Sequence, residues 1–197
     1  VQTSASPSGR DFVNIDDASI SGIELDFTLA ISDELTGTLS YGYLDTSFGP
    51  NTISYRREDA AAPAGFIIIE ETLTDTLAQA PEHSATAALD YTLPLSYANF
   101  NVNVNVQYLD STNSGVVIPT GIQDDRTLLN ATIGLWDISL GANYGTLRAS
   151  LWGNNLTDEE YLISSVRLDA FEVLGVGEIS TFGDPRTYGL TVEYFFN

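Results

Sequence analysis

Cysteine, methionine and lysine are all missing from this chain of 197 residues. Without cysteine there are no disulfide staples, zinc ribbons, iron–sulfur clusters or thiol nucleophiles. With a single histidine, His83, no cluster of imidazole metal ligands can be assembled. Without methionine nothing in the chain can begin translation, so Val1 is expected to lie inside a longer precursor. Basic residues are scarce: all seven are arginine, against 27 acids, and the resulting net charge of −20 repels phosphate backbones. No nucleic-acid partner is therefore expected. Missing too is any uninterrupted apolar run near the ~20 residues of a membrane-spanning helix. A chain that is 43% hydrophobic is nevertheless not disordered by composition.

What the sequence does contain is strict two-residue alternation, the mark of strands with one apolar face. Phe100, Val102, Val104, Val106 and Tyr108 alternate with Asn101, Asn103, Asn105 and Gln107. Ile23, Leu25, Phe27, Leu29 and Ile31 alternate with Glu24, Asp26, Thr28 and Ala30, and a C-terminal strand runs through Tyr188, Leu190, Val192, Tyr194 and Phe196. In that last strand Phe195 is an aromatic exception on the polar parity. Weaker copies at 39–43, 85–93, 129–135 and 147–151 bring the expected total to about seven antiparallel strands. Short links near 32–35, 94–99 and 139–144 alternate with long ones near 49–83, 111–125 and 155–184. Short turns at one end and long loops at the other describe a transmembrane β-barrel segment with its long loops outside the cell. Within the long loop at 49–83, the apolar run Phe66 to Ile69 is expected to pair with Thr52 to Tyr55 as a hairpin.

Charge placement gives a second line of argument. Five charges fall within the strand cores, Glu24, Asp26, Asp90, Arg148 and Glu193, and all five lie on the polar parity. Hydrocarbon on the other face would enforce this, at ~2–4 kcal/mol for a misplaced base. A half-buried soluble sheet would enforce it as well. The aromatics on the apolar parity, among them Tyr43, Tyr91, Phe100 and Tyr108, fall near strand ends, where headgroups would receive them.

Two C-terminal segments carry a family resemblance. Residues 151–161 include Asn155, Leu156, Thr157, Asp158 and Tyr161, and residues 182–196 include Pro185 and Arg186 ahead of the alternating aromatic strand. Their order and spacing resemble the end of a TonB-dependent outer-membrane receptor. Ile20 to Leu25 and Ala80 to His83 resemble two earlier strand starts of that family. The resemblance implies an all-β fold, a segment of about seven strands from the C-terminal part of a 22-stranded barrel, with the plug domain lying outside residues 1–197. It implies energy-coupled uptake of a scarce bulky nutrient, such as an iron–siderophore, cobalamin or an oligosaccharide, in the outer membrane of a Gram-negative bacterium. Implied partners are the TonB complex acting through the plug, the barrel-assembly machinery reading the C-terminal strand, and outer-membrane lipid and lipopolysaccharide. No enzyme activity and no cofactor are implied.

Individual residues invite sharper readings, each with a plainer rival. Asp158, Glu159 and Glu160 could hold a divalent cation, but a turn capped through the T-x-x-E spacing from Thr157 to Glu160, or plain solvation, fits better. Glu24 and Asp26 point into one lumen, and paired-carboxylate chemistry is weaker there than simple pairing with Arg148 or with the plug. The rival folds are a small complete barrel that uses residues 1–17 as an eighth strand and a soluble lectin-like sandwich.

Overall fold

The computed structural model describes residues 2–6, 9–12, 17–48, 52–59, 61–72, 77–113, 122–141, 144–167 and 178–196. Asp75, which the sequence places among the loop acids, lies outside the described residues. In chain order the strands are β1 (Gln2–Ser6), β2 (Gly9–Phe12), β3 (Ala18–Ala30), β4 (Leu35–Phe48), β5 (Thr52–Glu58), β6 (Phe66–Thr72), β7 (His83–Pro94) and β8 (Asn99–Leu109). They continue as β9 (Thr112–Asn113), β10 (Ile122–Gln123), β11 (Arg126–Ser139), β12 (Thr146–Asn154), β13 (Leu162–Arg167), β14 (Glu178–Phe182) and β15 (Thr187–Phe195). No helix forms among the described residues.

Seven strands make one antiparallel sheet in the order β15-β12-β11-β8-β7-β4-β3. Each pairs with the neighbour that the alternation predicted, so the sheet is a meander with both edges open among the described residues. The remaining strands pair in twos. The predicted hairpin is one such pair, with Tyr55 opposite Ile69, though Phe66 to Ile68 lie opposite Arg56 to Glu58 and not Thr52 to Ser54. Residues 2–6 pair with 9–12 and add no strand to the main sheet, so the eight-stranded alternative loses its extra strand.

Three tight turns close one end. The Ile31 and Ser32 amides both donate to the Leu35 carbonyl, at 2.8 and 3.2 Å, and the Leu95 amide donates to the Ala98 carbonyl at 2.8 Å. The third turn ends at Gly145, whose φ of +75° suits glycine and where an added Cβ would collide with the Phe195 carbonyl. Just inside it, Leu135 faces Ala149 and Ile138 faces Leu147, so Trp136 and Asp137 together oppose Arg148. This bulge puts Asp137 in the left-handed region at φ 55°.

Register fixes the two faces. One row runs Phe27, Leu39, Ala87, Val106 and Leu129 across five strands, and the next runs Thr28, Thr38, Ala88, Asn105 and Asn130. The apolar rows stand open: Ile23 and Phe27 are each 58% exposed, Leu29 64%, Leu151 58% and Leu190 65%. Ala98 is the one buried hydrophobic residue among those described. Leaving half of each such side chain in water forgoes about 1 kcal/mol per residue, and over this face that rivals the whole stability of a domain at about 5–15 kcal/mol. No second sheet of the described residues roofs this face, as a sandwich would require.

Aromatic side chains on the apolar face gather toward its two ends. Tyr43 lies opposite His83 near the long-loop end, and the Tyr41 hydroxyl and His83 Nδ1 share a 2.8 Å hydrogen bond. Near the short turns Tyr91 and Phe100 meet edge to face at 6.5 Å, as do Tyr194 and Phe196 at 4.6 Å. From His83 to Tyr91 the strand rises about 27 Å, or about 20 Å along a barrel axis after a ~40° tilt, close to the apolar band of an outer-membrane barrel at about 25 Å.

Candidate functional site

Two constructions on the polar face bear on function. The first lies where the long loop after β12 returns to β15. Asn155 is 4% exposed and sits at φ 49°, a backbone that asparagine tolerates better than most residues. Its Nδ2 donates to the carbonyls of Glu159 at 2.8 Å and Asp184 at 3.1 Å, and its Oδ1 accepts from the Glu159 amide at 2.9 Å. Its own amide donates to Asn130 Oδ1, and Asn130 Nδ2 donates to Asn105 Oδ1, each at 2.9 Å. A chain of three asparagines thus ties the loop to β11 and β8.

The neighbouring motif residues complete the same knot. Asp158 accepts from the Arg186 amide and from its guanidinium, both at 3.2 Å. The Leu156 amide donates to the Leu129 carbonyl at 2.8 Å, and the Leu156 side chain fills the space over Gly153. The Tyr161 carbonyl accepts from the Gly183 amide at 2.9 Å, and a side chain at Gly183 would run into the Tyr161 ring. Pro185 stands between Asp184 and Arg186, just before β15 begins. Of the two plainer readings of this segment, plain solvation fits Thr157 and Glu160, which are both exposed, and Asn155 holds the turn because it both donates and accepts. Asn130 and Arg126 belong to this assembly but lie on another segment, and no spacing in the sequence links them to it.

The second construction is a concavity of about 580 Å³ where β7, β8 and β11 reach their long-loop ends. Its upper row reads Glu24, Gly42, Ser84, Leu109 and Arg126, consecutive across five strands. The row beneath reads Asp26, Ser40, Thr86, Gln107 and Leu128. Tyr161 and Ile163 of the pinned loop close the Arg126 side. The Arg126 guanidinium carbon lies 4.8 Å from the centre of the Tyr161 ring. Asp26 accepts the Ser40 hydroxyl at 2.6 Å, whereas Glu24 and Arg126 have no ion-pair partner among the described residues.

The other charges of the polar face are spent locally. Asp90 accepts from Asn103 Nδ2 at 2.6 Å. Arg148 meets Glu193 at 3.6 Å, directly opposite on β15, and so does not reach Glu24 or Asp26 as the sequence led us to expect. The reason is lateral distance: β12 lies beyond β11, β8, β7 and β4 from β3. The same register explains Phe195. Its ring and that of Trp136 lie 5.4 and 4.7 Å from the Arg148 guanidinium carbon, so the aromatic exception covers a cation on the polar face. On the opposite face of β15, Tyr188, Leu190, Val192, Tyr194 and Phe196 are all exposed, and the Tyr194 hydroxyl donates to the Tyr144 carbonyl.

Comparison with known proteins agrees with this architecture. In fold, the chain is similar to the siderophore receptor PiuA from Acinetobacter baumannii, with a TM-score of 0.59 at 18% identity over 89% of this chain. The chain spans 21% of that receptor's length, and at this identity the likeness is one of fold alone. No curated protein matches the chain in sequence. A family model described as "TonB dependent receptor-like, beta-barrel" matches residues 1–156, and so rests on the strands more than on the closing motif. This is a family of receptors and not of enzymes, and the chain belongs to it.

Proposed function

We propose that residues 1–197 form the C-terminal part of a 22-stranded barrel, and that the whole receptor takes up a scarce bulky nutrient across the outer membrane of a Gram-negative bacterium. An iron–siderophore complex is the leading cargo, with cobalamin or an oligosaccharide as the alternatives. The observation that carries this reading is a sheet whose apolar face is open along its whole height while its other face is polar and holds a cavity. Hydrocarbon covers the first face and the second lines a lumen. The long loops help to capture cargo, and the pinned turn at Asn155 keeps one of them in place. In the intact receptor a plug domain fills the lumen and is remodelled by TonB. The open edge and apolar face of β15 suit strand addition by the barrel-assembly machinery. Acidic loops on the outer surface are screened by cations held by lipopolysaccharide.

Deleting the gene and feeding the strain defined iron complexes tests this function. Growth on at least one complex should fall to the level of a strain without TonB, and restoring the full gene should recover it. Unchanged growth and unchanged radioactive iron uptake on every complex, with cobalamin and oligosaccharides also unaffected, would overturn it.

A further inference from the structure

The concavity is chemically lopsided, and its asymmetry specifies what it receives. At one end the Glu24 and Asp26 carboxylates stand two residues apart on the same face, beside the small residues Gly42, Ser40 and Ser84. At the other end Arg126 stacks on Tyr161 over an apolar floor of Leu109 and Leu128. Four strand spacings separate the two ends, about 19 Å along the sheet. Glu24 and Arg126 are both left without a counter-charge among the described residues, whereas Arg148 and Glu193 pair with each other and Asp90 accepts from Asn103. They are too far apart to neutralise each other. Arg126 opens β11 at its long-loop end, Glu24 lies midway along β3 in the same row across the sheet, and the Tyr161 wall belongs to a loop held by the Asn155 and Asp158 contacts.

Resting on the uptake reading, we infer that this cavity binds a cargo with two unlike ends: a protonated amine that lies against Glu24 and Asp26, and an aromatic or carboxylate anion that meets Arg126. Gly42 opens the acidic end, because any side chain there would press on the Ser84 hydroxyl and fill the space that an ammonium group needs. Arg126 keeps its N–H edge for an anion while its face is occupied by Tyr161. A cargo that is anionic at both ends is disfavoured by the carboxylate pair.

The test uses the full-length receptor in detergent and equilibrium binding of radioactive iron chelates in matched pairs. Each pair is a hydroxamate or catecholate chelate with a pendant primary amine, and the same chelate with that amine acetylated. The amine form should bind about tenfold more tightly, as expected for one charge-assisted contact. The isosteric double variant Glu24→Gln, Asp26→Asn should bring the ratio to about one while leaving the heat-modifiable gel shift of the barrel intact. Arg126→Gln should weaken both members of a pair alike and leave their ratio unchanged. Equal binding of both members by the unmodified receptor would overturn the inference and leave uptake standing, since another part of the protein would then cover the carboxylates. Failure to bind any chelate, together with unchanged growth of the deletion strain on iron complexes, would overturn the iron reading and this inference with it.

Discussion

Asn155→Ala probes the knot that holds the long loop to the barrel wall. The substitution removes three hydrogen bonds, two donated by Nδ2 and one accepted by Oδ1, at a site only 4% exposed. At about 0.5–1.5 kcal/mol each these are worth about 1.5–4.5 kcal/mol. The backbone at φ 49° adds about 1 kcal/mol for alanine. The local cost is therefore about 3–5 kcal/mol, and it falls on the loop because β12 and β15 remain paired through Asn154 and Thr187. Hydrogen exchange in the full-length receptor reads it directly. The amides of Glu159, Gly183 and Arg186 should exchange at least about a hundredfold faster, at 1.4 kcal/mol per factor of ten, while those of β11 stay as slow as before. Asn155→Gly removes the same bonds without the backbone penalty, so it should recover about 1 kcal/mol. Unchanged exchange at Glu159 and Arg186 in Asn155→Ala would refute the idea that this side chain organises the loop.

Further outcomes follow from the same geometry. Leu89→Arg, on the apolar face in the middle of β7, should cost about 2–4 kcal/mol in urea unfolding from lipid vesicles, whereas Gln107→Arg on the polar face should cost less than about 1 kcal/mol; equal costs would contradict the assignment of faces. Gly183→Ala should displace the Tyr161 ring at a cost of about 1–3 kcal/mol and be strongly non-additive with Tyr161→Ala, a coupling that a double-mutant cycle would expose. The two tryptophans should behave differently. Trp152 Nε1 donates to the Thr191 hydroxyl at 3.0 Å, whereas Trp136 Nε1 is buried without an acceptor among the described residues. Trp152→Phe should therefore lower stability by about 1 kcal/mol and Trp136→Phe by less, and the reverse order of unfolding midpoints would count against an indole N–H left without an acceptor at Trp136.

How much of this was legible in the sequence depends on which force sets each feature. The seven strands were legible because one face must be apolar throughout, and alternation records that directly. Their ends were less so: the pattern placed the second strand at 39–43, but β4 runs Leu35–Phe48 because Thr36, Gly37, Asp45 and Thr46 extend the ladder without apolar side chains. That Thr52 to Tyr55 and Phe66 to Ile69 belong to one hairpin was readable from β-prone residues on both sides of a polar connection, but not its register, since Phe66, Ile67 and Ile68 lie opposite Glu58, Arg57 and Arg56. The site was less readable. Glu24 and Asp26 were recognisable as facing one lumen, but Arg126 is distant in sequence and joins them only through four strand pairings. The partner of Arg148 depended on β12 pairing with β15 across the long loop, and the bulge that sets Trp136 and Asp137 opposite Arg148 leaves no mark in the alternation. Asn155 was noticed as part of a motif, while its role depends on a left-handed backbone that only the fold displays.

Every conclusion depends on which side of β8 meets lipid. Residues 1–197 hold no cysteine, so single cysteines for spin labels can be introduced along residues 102–107 of the full-length receptor reconstituted in lipid, with any cysteine elsewhere in it replaced by serine. Labels at Val102, Val104 and Val106 should be open to dissolved oxygen and shielded from a water-soluble nickel reagent, while labels at Asn103, Asn105 and Gln107 should show the opposite or no access to oxygen. A profile without a two-residue period, or one with the asparagine positions facing oxygen, would contradict the account.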